Sequence, residues 1–287
     1  MKLGVSSYSL YQASQNEGLT ILDILDWIAA NGGEHAEIVP LDFDLTEQPE
    51  LSDQIRQRAE DNSIELSNYA IGANFLTECE EAYEAEIQRV MRHVDEAHRM
   101  EIKLMRHDAA SRPIPETSIH HFEADLLKVA DACRRIADYA SGFGITTSVE
   151  NHGFYIQASD RVQRLVHSVD RDNFKTTLDV GNFMCVDENP VAAVQKNIAT
   201  ASMVHVKDFY LRPSYQNPGE GWFQTANGNF LRGAIAGHGD LDLREILRVI
   251  KASGYNGYIS IEFEGLEDCR KGTKIGLANV RRIWYDV

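Results

Sequence analysis

The sequence has few cysteines, and none of them form a recognisable pair. Its four cysteines, Cys79, Cys133, Cys185 and Cys269, lie far apart, and no Cys-x-x-Cys motif occurs among the 287 residues. Structural zinc sites and disulfide-stabilised domains use closely spaced or numerous cysteines. The four residues are therefore interpreted as reduced thiols of a protein from a reducing compartment.

Long hydrophobic runs and an export signal are also absent from the sequence. No apolar stretch approaches the roughly 18 residues that a membrane-spanning helix requires. Residues 1–8 lack the charged and then apolar pattern of a signal peptide and are typical of a β-strand instead. We therefore expect a cytoplasmic protein that does not associate with membranes.

Cationic residues are scarce. The chain contains 28 Lys and Arg against 44 Asp and Glu, and its formal net charge is -16. Because a nucleic-acid-binding protein neutralises phosphates with Lys and Arg, this balance argues against a nucleic-acid partner. Hydrophobic residues at 43% and charged residues at 25% are ordinary for a globular protein, which excludes a disordered chain.

Strand-like runs alternate with amphipathic helical runs eight times, which is the pattern of βα units around a parallel sheet. Predicted strands cover residues 3–7, 36–39, 64–70 and 102–106, and four more end at Glu150, Asp179, His205 and Glu262. Predicted helices lie near residues 21–29, 50–62, 80–100, 118–139, 159–169, 190–199, 241–253 and 268–284. Without any linker between them, these units predict an α/β fold, a single (β/α)8 barrel over residues 1–287.

The longest non-helical connection covers Phe209 to Gly239 and contains the aromatic residues Trp222 and Phe223, the cations Arg212 and Arg232, several glycines and two prolines. Irregular connections beyond about 12 to 15 residues usually serve as lids or binding loops. This connection follows the seventh strand, at the barrel face where such folds carry their active sites. We expect it to cover the substrate and Trp222 to contact it; a surface loop without function is the alternative.

Four consecutive predicted strands end in residues that bind metal ions, namely Glu150, Asp179, His205 and Glu262. Side chains alternate along a strand, so the apolar neighbours can face the helices while these groups point to the barrel mouth. A single carboxylate at a strand end is more often a helix cap or an ion-pair partner, but four in succession favour a metal site. Three carboxylates and one imidazole suit Mn²⁺, Mg²⁺ or Co²⁺, and less often Zn²⁺.

Glu150 and Glu262 would lie on opposite sides of a substrate held by the ion. One glutamate could remove a proton next to a carbonyl, and the other could return it through a stabilised enediolate. This arrangement predicts an enzyme that isomerises or epimerises a small sugar or sugar derivative.

Across essentially its whole length, the chain resembles the xylose isomerase-like barrel superfamily, in particular its sugar phosphate isomerase/epimerase group. The matching motifs are residues 4–9, 149–153, 178–182, 205–208, 237–242 and 254–262. In ketose 3-epimerases of this superfamily, Glu, Asp, His and Glu bind one metal ion, and the two Glu transfer the proton. The resemblance assigns these roles to Glu150, Asp179, His205 and Glu262.

Six further residues are candidates for substrate binding: Arg106, His152, Asn182, Lys207, Trp222 and His238. Asn182 stands where the epimerases often have His, which implies different substrate contacts. Lys207 could steady an oxyanion or pair with a carboxylate ligand, and Arg106 could clamp an anion or form a structural salt bridge. His152 and His238 could bind hydroxyl groups or could serve only the backbone of their loops.

Other activities of the superfamily remain open as alternatives. Inosose and dehydroshikimate dehydratases would use the same enediolate to expel a leaving group, and the residues alone do not separate this lyase reaction from isomerisation. An endonuclease IV-like nuclease and a non-catalytic sugar-binding protein are more remote. The identity and phosphorylation of the sugar, the native metal and the oligomeric state stay open, and a homo-oligomer is compatible with the sequence.

Overall fold

Eight parallel strands close into one barrel in the computed structural model, which describes all 287 residues. Their bounds are β1 Lys2–Ser6, β2 His35–Ile38, β3 Glu65–Ile71, β4 Leu104–His107, β5 Thr146–Glu150, β6 Phe174–Asp179, β7 Ala201–Val206 and β11 Tyr258–Ile261. Each strand pairs with its neighbour in the chain order, and β11 closes the ring by pairing with both β7 and β1. The predicted (β/α)8 barrel is confirmed.

Nine α-helices accompany the strands. They are α1 Tyr11–Glu17, α2 Ile21–Ala30, α3 Pro49–Asp61, α4 Glu80–Arg99, α5 Ile119–Ser141, α6 Ser159–Val169, α7 Pro190–Asn197, α8 Leu243–Ala252 and α9 Cys269–Asp286. Only the short α1 was not predicted; it ends at Gly18, whose φ of 73° suits glycine and interrupts the helix before α2. None of the helices has the length and apolar character needed to cross a membrane.

Capping residues explain where several helices begin. Thr20 and Asp23 bond to each other's backbone N–H groups at the start of α2, as a capping box. Ser118, Asn189 and Asp242 each accept an N–H at the start of α5, α7 and α8. These short polar residues stand just before helical runs in the sequence, which is why the helix starts were predictable.

Alternation along the strands separates the two sides of the barrel wall. Val149, Val204 and Ile261 are buried among apolar side chains of the main hydrophobic core. Ser148 of β5 and Thr177 of β6 share a 2.8 Å hydrogen bond between their hydroxyls, and Ser260 of β11 is also fully buried. The upper barrel interior is thus polar, and it leads directly to the carboxyl ends of the strands.

The connection after β7 contains regular structure rather than the long irregular loop that was expected. Its strands β8 Asp208–Arg212, β9 Phe223–Gln224 and β10 Phe230–Ala234 form an antiparallel sheet in the order β8-β10-β9, here called the excursion sheet. The strands are short, and their partners are distant in sequence, so local periodicity does not reveal them. A parallel bridge between Gly233 and Gly265 joins this sheet to the segment after β11.

Candidate metal centre and active site

The four predicted ligand residues converge at the carboxyl ends of β5, β6, β7 and β11. Glu150, Asp179, His205 and Glu262 are all buried, and one ligand atom from each lies within 4.8 Å of the other three. Their strands are adjacent in the barrel, with Asp179 paired in register with His205. Sheet register therefore places four chemically suitable groups around a single point.

Asp179 is held in place through one oxygen and leaves the other free. Its Oδ1 accepts hydrogen bonds from the backbone N–H of Gly181 at 2.7 Å and of Asn182 at 2.9 Å. The buried Oδ2 has no hydrogen-bond partner. A Cβ on Gly181 would lie 2.8 Å from the Lys207 carbonyl oxygen, so glycine is needed for this turn.

Asn151 explains part of the motif that contains Glu150. Its amide bonds both backbone groups of Asp179, donating to the carbonyl at 2.8 Å and accepting from the N–H at 2.9 Å. Asn151 thereby continues the pairing of β5 and β6 beyond the last strand residue. Sequence reasoning did not assign it this role, since its position beside Glu150 does not reveal its partner.

His205 is oriented by Glu37, a residue that sequence reasoning missed. Its Nε2 lies 2.9 Å from Oε1 and 2.8 Å from Oε2 of the fully buried Glu37, and Asn68 donates a 2.7 Å hydrogen bond to the same carboxylate. The opposite nitrogen, Nδ1, has no hydrogen-bond partner and lies 3.6 Å from Glu150 and 3.7 Å from Glu262. A carboxylate between the apolar residues Ala36 and Ile38 of the short strand β2 was the available signal.

The burial of His205 disfavours its charged form, but the facing Glu37 outweighs this effect and raises the His205 pKa well above its usual value. A carboxylate bonded to one imidazole nitrogen fixes the tautomer and directs the other nitrogen to a metal ion. The pair Glu37–His205 has this geometry.

Each glutamate of the cluster has a cation beside it. Arg106 Nε donates to Glu150 Oε2 at 2.7 Å, and Lys207 Nζ lies 2.8 Å from Glu262 Oε2. Burial favours protonation of both carboxyls, but Arg106 lowers the Glu150 pKa well below its usual value and Lys207 lowers that of Glu262. Both carboxylates are therefore ionised and able to accept a proton.

Asp179 differs from the two glutamates in its protonation. Burial raises the Asp179 pKa to about 7, and the nearby Glu262 adds to this effect although Lys207 opposes it. Of the three carboxyl groups in the cluster, Asp179 is therefore partly protonated at neutral pH. A divalent cation would relieve this repulsion, and the unpartnered Oδ2 of Asp179 and Nδ1 of His205 are directed into the cluster that it would occupy. The residues fit one hard or borderline divalent ion.

A cavity of about 410 Å³ opens above the cluster. Tyr8, Asp44, His93, Asp108 and His152 line it together with three residues of the cluster, Glu150, His205 and Glu262. The Lys and Arg side chains among its lining residues all lie against carboxylates: Arg89 on Glu86 at 2.8 Å, Arg106 on Glu150 and Lys207 on Glu262. No free cation is available there to hold a phosphate.

Four of the six predicted substrate-binding residues lie at this site. Arg106, His152 and Lys207 line the cavity, and the His152 Nδ1 lies 3.6 Å from an oxygen of Asp108. Asn182 is buried and donates a 3.1 Å hydrogen bond to Glu150 Oε1, so it contacts a predicted ligand.

The structure does not bring Trp222 and His238 to the cavity. Trp222 instead lies near the guanidinium groups of Arg212 and Arg232, which are 5.5 and 5.7 Å from its ring centroid. The exposed His238 belongs to a turn whose flanking glycines, Gly237 and Gly239, donate their N–H groups to Asp208. Trp222 was expected to contact the substrate as part of a cover over it, and His238 was a candidate for binding hydroxyl groups, but local sequence did not reveal where either side chain points.

The fold and site define a (β/α)8 barrel protein with a candidate metal centre at the carboxyl ends of its strands. The chain belongs to the xylose isomerase-like TIM barrel family, whose model matches residues 25–283. This finding agrees with the resemblance carried by the sequence motifs.

Three known proteins illustrate the relationship. An inosose dehydratase from Clostridium botulinum (strain Eklund 17B / Type B) is 24% identical over 221 residues, which are 70% of this chain and 72% of the relative. A probable 3-DHS dehydratase from Bacillus anthracis superposes with a TM-score of 0.76 at 16% identity, over 98% of this chain and 99% of the other. A D-psicose 3-epimerase from Clostridium cellulolyticum H10 has a TM-score of 0.75 at 16% identity, over 99% of both chains.

The similarity to curated relatives is partial in extent. The chain spans about half the length of most of the inosose dehydratases it matches, for example 51% of one from another Clostridium botulinum strain. The solved structures share the fold at low identity. The comparisons therefore establish the family and the architecture.

Proposed function

We propose that the protein is a divalent-metal-dependent isomerase or epimerase of a small keto-sugar or sugar derivative. The observation that carries the proposal is the pairing of two buried glutamates with two cations around the ligand cluster. Glu150 lies against Arg106 on one side, and Glu262 lies against Lys207 on the other. Proton transfer next to a carbonyl needs two such bases if the proton is removed on one face and returned on the other.

Glu150, Asp179, His205 and Glu262 would hold the ion through one oxygen or nitrogen each. When bound, a divalent ion polarises a substrate carbonyl and a neighbouring hydroxyl and stabilises the negative charge that follows proton removal. Mn²⁺, Mg²⁺ and Co²⁺ suit this oxygen-rich set best. The pKa of about 7 at Asp179 supports the need for a further positive charge.

The protein residues would move the proton. One ionised glutamate would remove the proton from the carbon beside the carbonyl, which leaves an enediolate. The second glutamate, which also starts ionised, would take a proton from solvent in the cavity and deliver it to the enediolate, and the first glutamate would release its proton to solvent to restore the resting enzyme. Lys207 and Arg106 hold both carboxylates ionised in the resting enzyme. His152, which is half exposed at the cavity wall, is positioned to bind a substrate hydroxyl.

The cavity favours an uncharged substrate. Since Arg89, Arg106 and Lys207 are all engaged by carboxylates, a phosphate or carboxylate group would meet no free cation there. Binding an anion to Arg106 or Lys207 would require a buried ion pair to break, which is costly. A neutral polyhydroxy ketone avoids this cost.

A dehydratase is the second candidate function. It is favoured by the curated relatives, which carry the name inosose dehydratase. The same proton abstraction would generate the enediolate, and loss of a hydroxyl from the next carbon would then release water. Which outcome follows depends on the leaving group of the substrate, so the two functions are separated by their products.

The proposed function is tested by incubating Mn²⁺-loaded enzyme with a panel of neutral ketoses, keto-glycosides and keto-inositols in deuterated water. Incorporation of deuterium at one carbon, read by NMR, identifies both the substrate and the reacting position. A product lighter by one water, with ultraviolet absorbance of a conjugated ketone, assigns the dehydratase reaction instead. The absence of exchange and of water loss across the panel would contradict both functions.

Removal of the metal is the direct test of the centre. We expect dialysis against a chelator to abolish exchange, and re-addition of Mn²⁺ to restore it, because Arg106 and Lys207 are already paired with Glu150 and Glu262 and neither can polarise a substrate carbonyl as a divalent ion does. Circular dichroism should show that the fold survives chelation. Full exchange in chelated enzyme would contradict the metal dependence.

A further inference from the structure

A second cavity of about 440 Å³ adjoins the metal-site cavity. The two cavities share Tyr8 and Glu264 as lining residues. The second cavity, here called the aromatic cavity, has a largely aromatic wall formed by Tyr8, Tyr11, Phe223 and Phe263. Its volume lies within the range of ligand sites, about 300 to 1,000 Å³.

Specific packing contacts hold the rings of the aromatic wall in place. The rings of Tyr8 and Tyr11 are nearly parallel, at an angle of 8° with centroids 6.3 Å apart. Phe263 is buried, and its ring lies against Gly265 and Gly272, where an added Cβ would come within 2.5 and 2.6 Å of ring atoms. Gly272 lies inside α9, where glycine costs about 0.5 to 1 kcal/mol relative to alanine. The close packing of the Phe263 ring against the helix leaves no room for a Cβ, which explains why residue 272 is glycine.

Phe223 completes the wall from the excursion sheet. It is 40% exposed although it is a large apolar side chain, and β9 is paired with β10 through Phe223 and Leu231. An edge contact with Phe209, at 5.8 Å between centroids, further fixes its ring. The excursion sheet therefore presents a rigid, partly uncovered aromatic face to the cavity.

Polar groups lie at the edge of the aromatic cavity. Gln12 donates its Nε2 to the Gly265 carbonyl at 3.1 Å, and its Oε1 makes no hydrogen bond within the protein. Glu264 lies 3.3 Å from Lys207 and so connects this edge to the metal site. A sugar ring has apolar C–H faces and a rim of hydroxyls, and it matches aromatic faces combined with a few polar groups.

We propose that the substrate is a glycoside whose reacting keto-sugar ring binds at the metal centre and whose second sugar ring binds in the aromatic cavity. The proposal rests on the proposed function for the first ring. The shared residues Tyr8 and Glu264 then lie at the junction of the two rings. The excursion sheet supplies specificity through Phe223 rather than through Trp222.

Equilibrium binding tests whether the aromatic cavity holds a second sugar ring, and the measurement does not depend on turnover. Mn²⁺-loaded enzyme is titrated by calorimetry with glucose, with phenyl β-glucoside, and with four disaccharides that contain glucose: maltose, cellobiose, trehalose and sucrose. We expect at least one disaccharide to bind about tenfold more tightly than glucose, which corresponds to about 1.4 kcal/mol. In Phe223→Ala the ratio of the two dissociation constants should fall to about one, and Tyr11→Ala should lower it as well. Tyr215→Ala, an 82% exposed aromatic of the same connection, is the matched control and should keep the ratio.

Three results would overturn the proposal: no disaccharide binds better than glucose, the gain survives in Phe223→Ala, or only phenyl β-glucoside gains affinity. The last result would assign an apolar substituent to the cavity instead of a sugar ring. Deuterium exchange is measured separately from binding. If exchange occurs but no disaccharide binds more tightly than glucose, the binding site for a second ring is refuted and the proposed function stands. If a disaccharide binds more tightly but no ketose or keto-glycoside exchanges deuterium, the proposed function alone is refuted.

Discussion

At the scale of single residues, the site is defined by how each reactive group is held. Glu150 and Glu262 are ionised because a cation lies beside each, whereas Asp179 is held through one oxygen and has a raised pKa. His205 receives its orientation from Glu37. The four predicted ligands therefore have distinct electrostatic environments even though they surround one point.

Replacing Glu262 tests the proton-transfer proposal. We expect Glu262→Gln to lower turnover by about 10² to 10⁴-fold, since an amide does not accept the proton that a carboxylate base removes. Deuterium exchange measures this loss, and calorimetry with Mn²⁺ shows how much of it arises from weaker metal binding. Glu65→Gln is a matched control, because Glu65 begins β3 at the opposite end of the barrel. Exchange at the wild-type rate in metal-loaded Glu262→Gln would rule out its role as a base.

Glu37 offers a test of the orientation of His205. We expect Glu37→Gln to weaken Mn²⁺ binding by about 10 to 100-fold, because the imidazole loses the carboxylate that directs Nδ1 toward the cluster. Calorimetric titration with Mn²⁺ measures the change, and thermal unfolding of the metal-free protein shows whether the variant folds. Unchanged affinity in a folded variant would mean that the barrel alone orients His205.

At the scale of elements, Asp208 explains how the excursion sheet returns to the barrel. Its carboxylate accepts backbone N–H groups of Gly237 and Gly239 at 2.9 Å each, as well as those of Phe209 and Leu241. A Cβ on Gly239 would lie 2.1 Å from Asp208 Oδ1. The glycine-rich motif after β10 is therefore needed to close the excursion, and its His238 lies outside this contact.

We expect Asp208→Asn to lower the free energy of unfolding by about 2 kcal/mol. The introduced amide N–H₂ would face backbone donors, so buried N–H groups would lose their acceptor. Urea unfolding measures the loss. Asp172→Asn, at an exposed position, is the control and should leave the urea midpoint unchanged. Equal urea midpoints for the two variants would show that the hydrogen bonds to the Asp208 carboxylate contribute nothing to stability.

At the scale of the whole molecule, three buried histidines link stability to pH. Burial lowers the pKa values of His35, His93 and His107 to about 4, whereas the unfolded chain has the ordinary value of about 6.5. Between these values the unfolded state binds more protons than the folded state. The stabilising contribution is therefore complete above about pH 6.5 and is lost as the pH falls toward 4.

We expect each of these histidines to contribute a slope of about 1.4 kcal/mol per pH unit between roughly pH 6 and 4.5. Urea unfolding at a series of pH values measures the total slope. His107→Gln should reduce it, since His107 is fully buried beside Phe75 and Phe174. His120→Gln, at an exposed position, is the control and should leave the slope unchanged. A slope that is the same in wild type and His107→Gln would contradict this account.

The sequence by itself determined the (β/α)8 fold and the strand ends that carry Glu150, Asp179, His205 and Glu262. Local signals were sufficient there, because helix periodicity, capping residues and alternation along strands depend on neighbouring residues only. The convergence of these four residues follows from the closed barrel, since parallel strands bring their carboxyl ends to one face.

Only the tertiary structure decided which groups support that centre. Glu37 faces His205 across the barrel interior and Asn151 bonds Asp179, and both contacts depend on strand register between segments far apart in the chain. The structure likewise places Phe223, and not the preceding Trp222, at the aromatic cavity. Phe223 belongs to β9 and is held there by pairing with Leu231 of β10, a contact between segments that local sequence does not reveal.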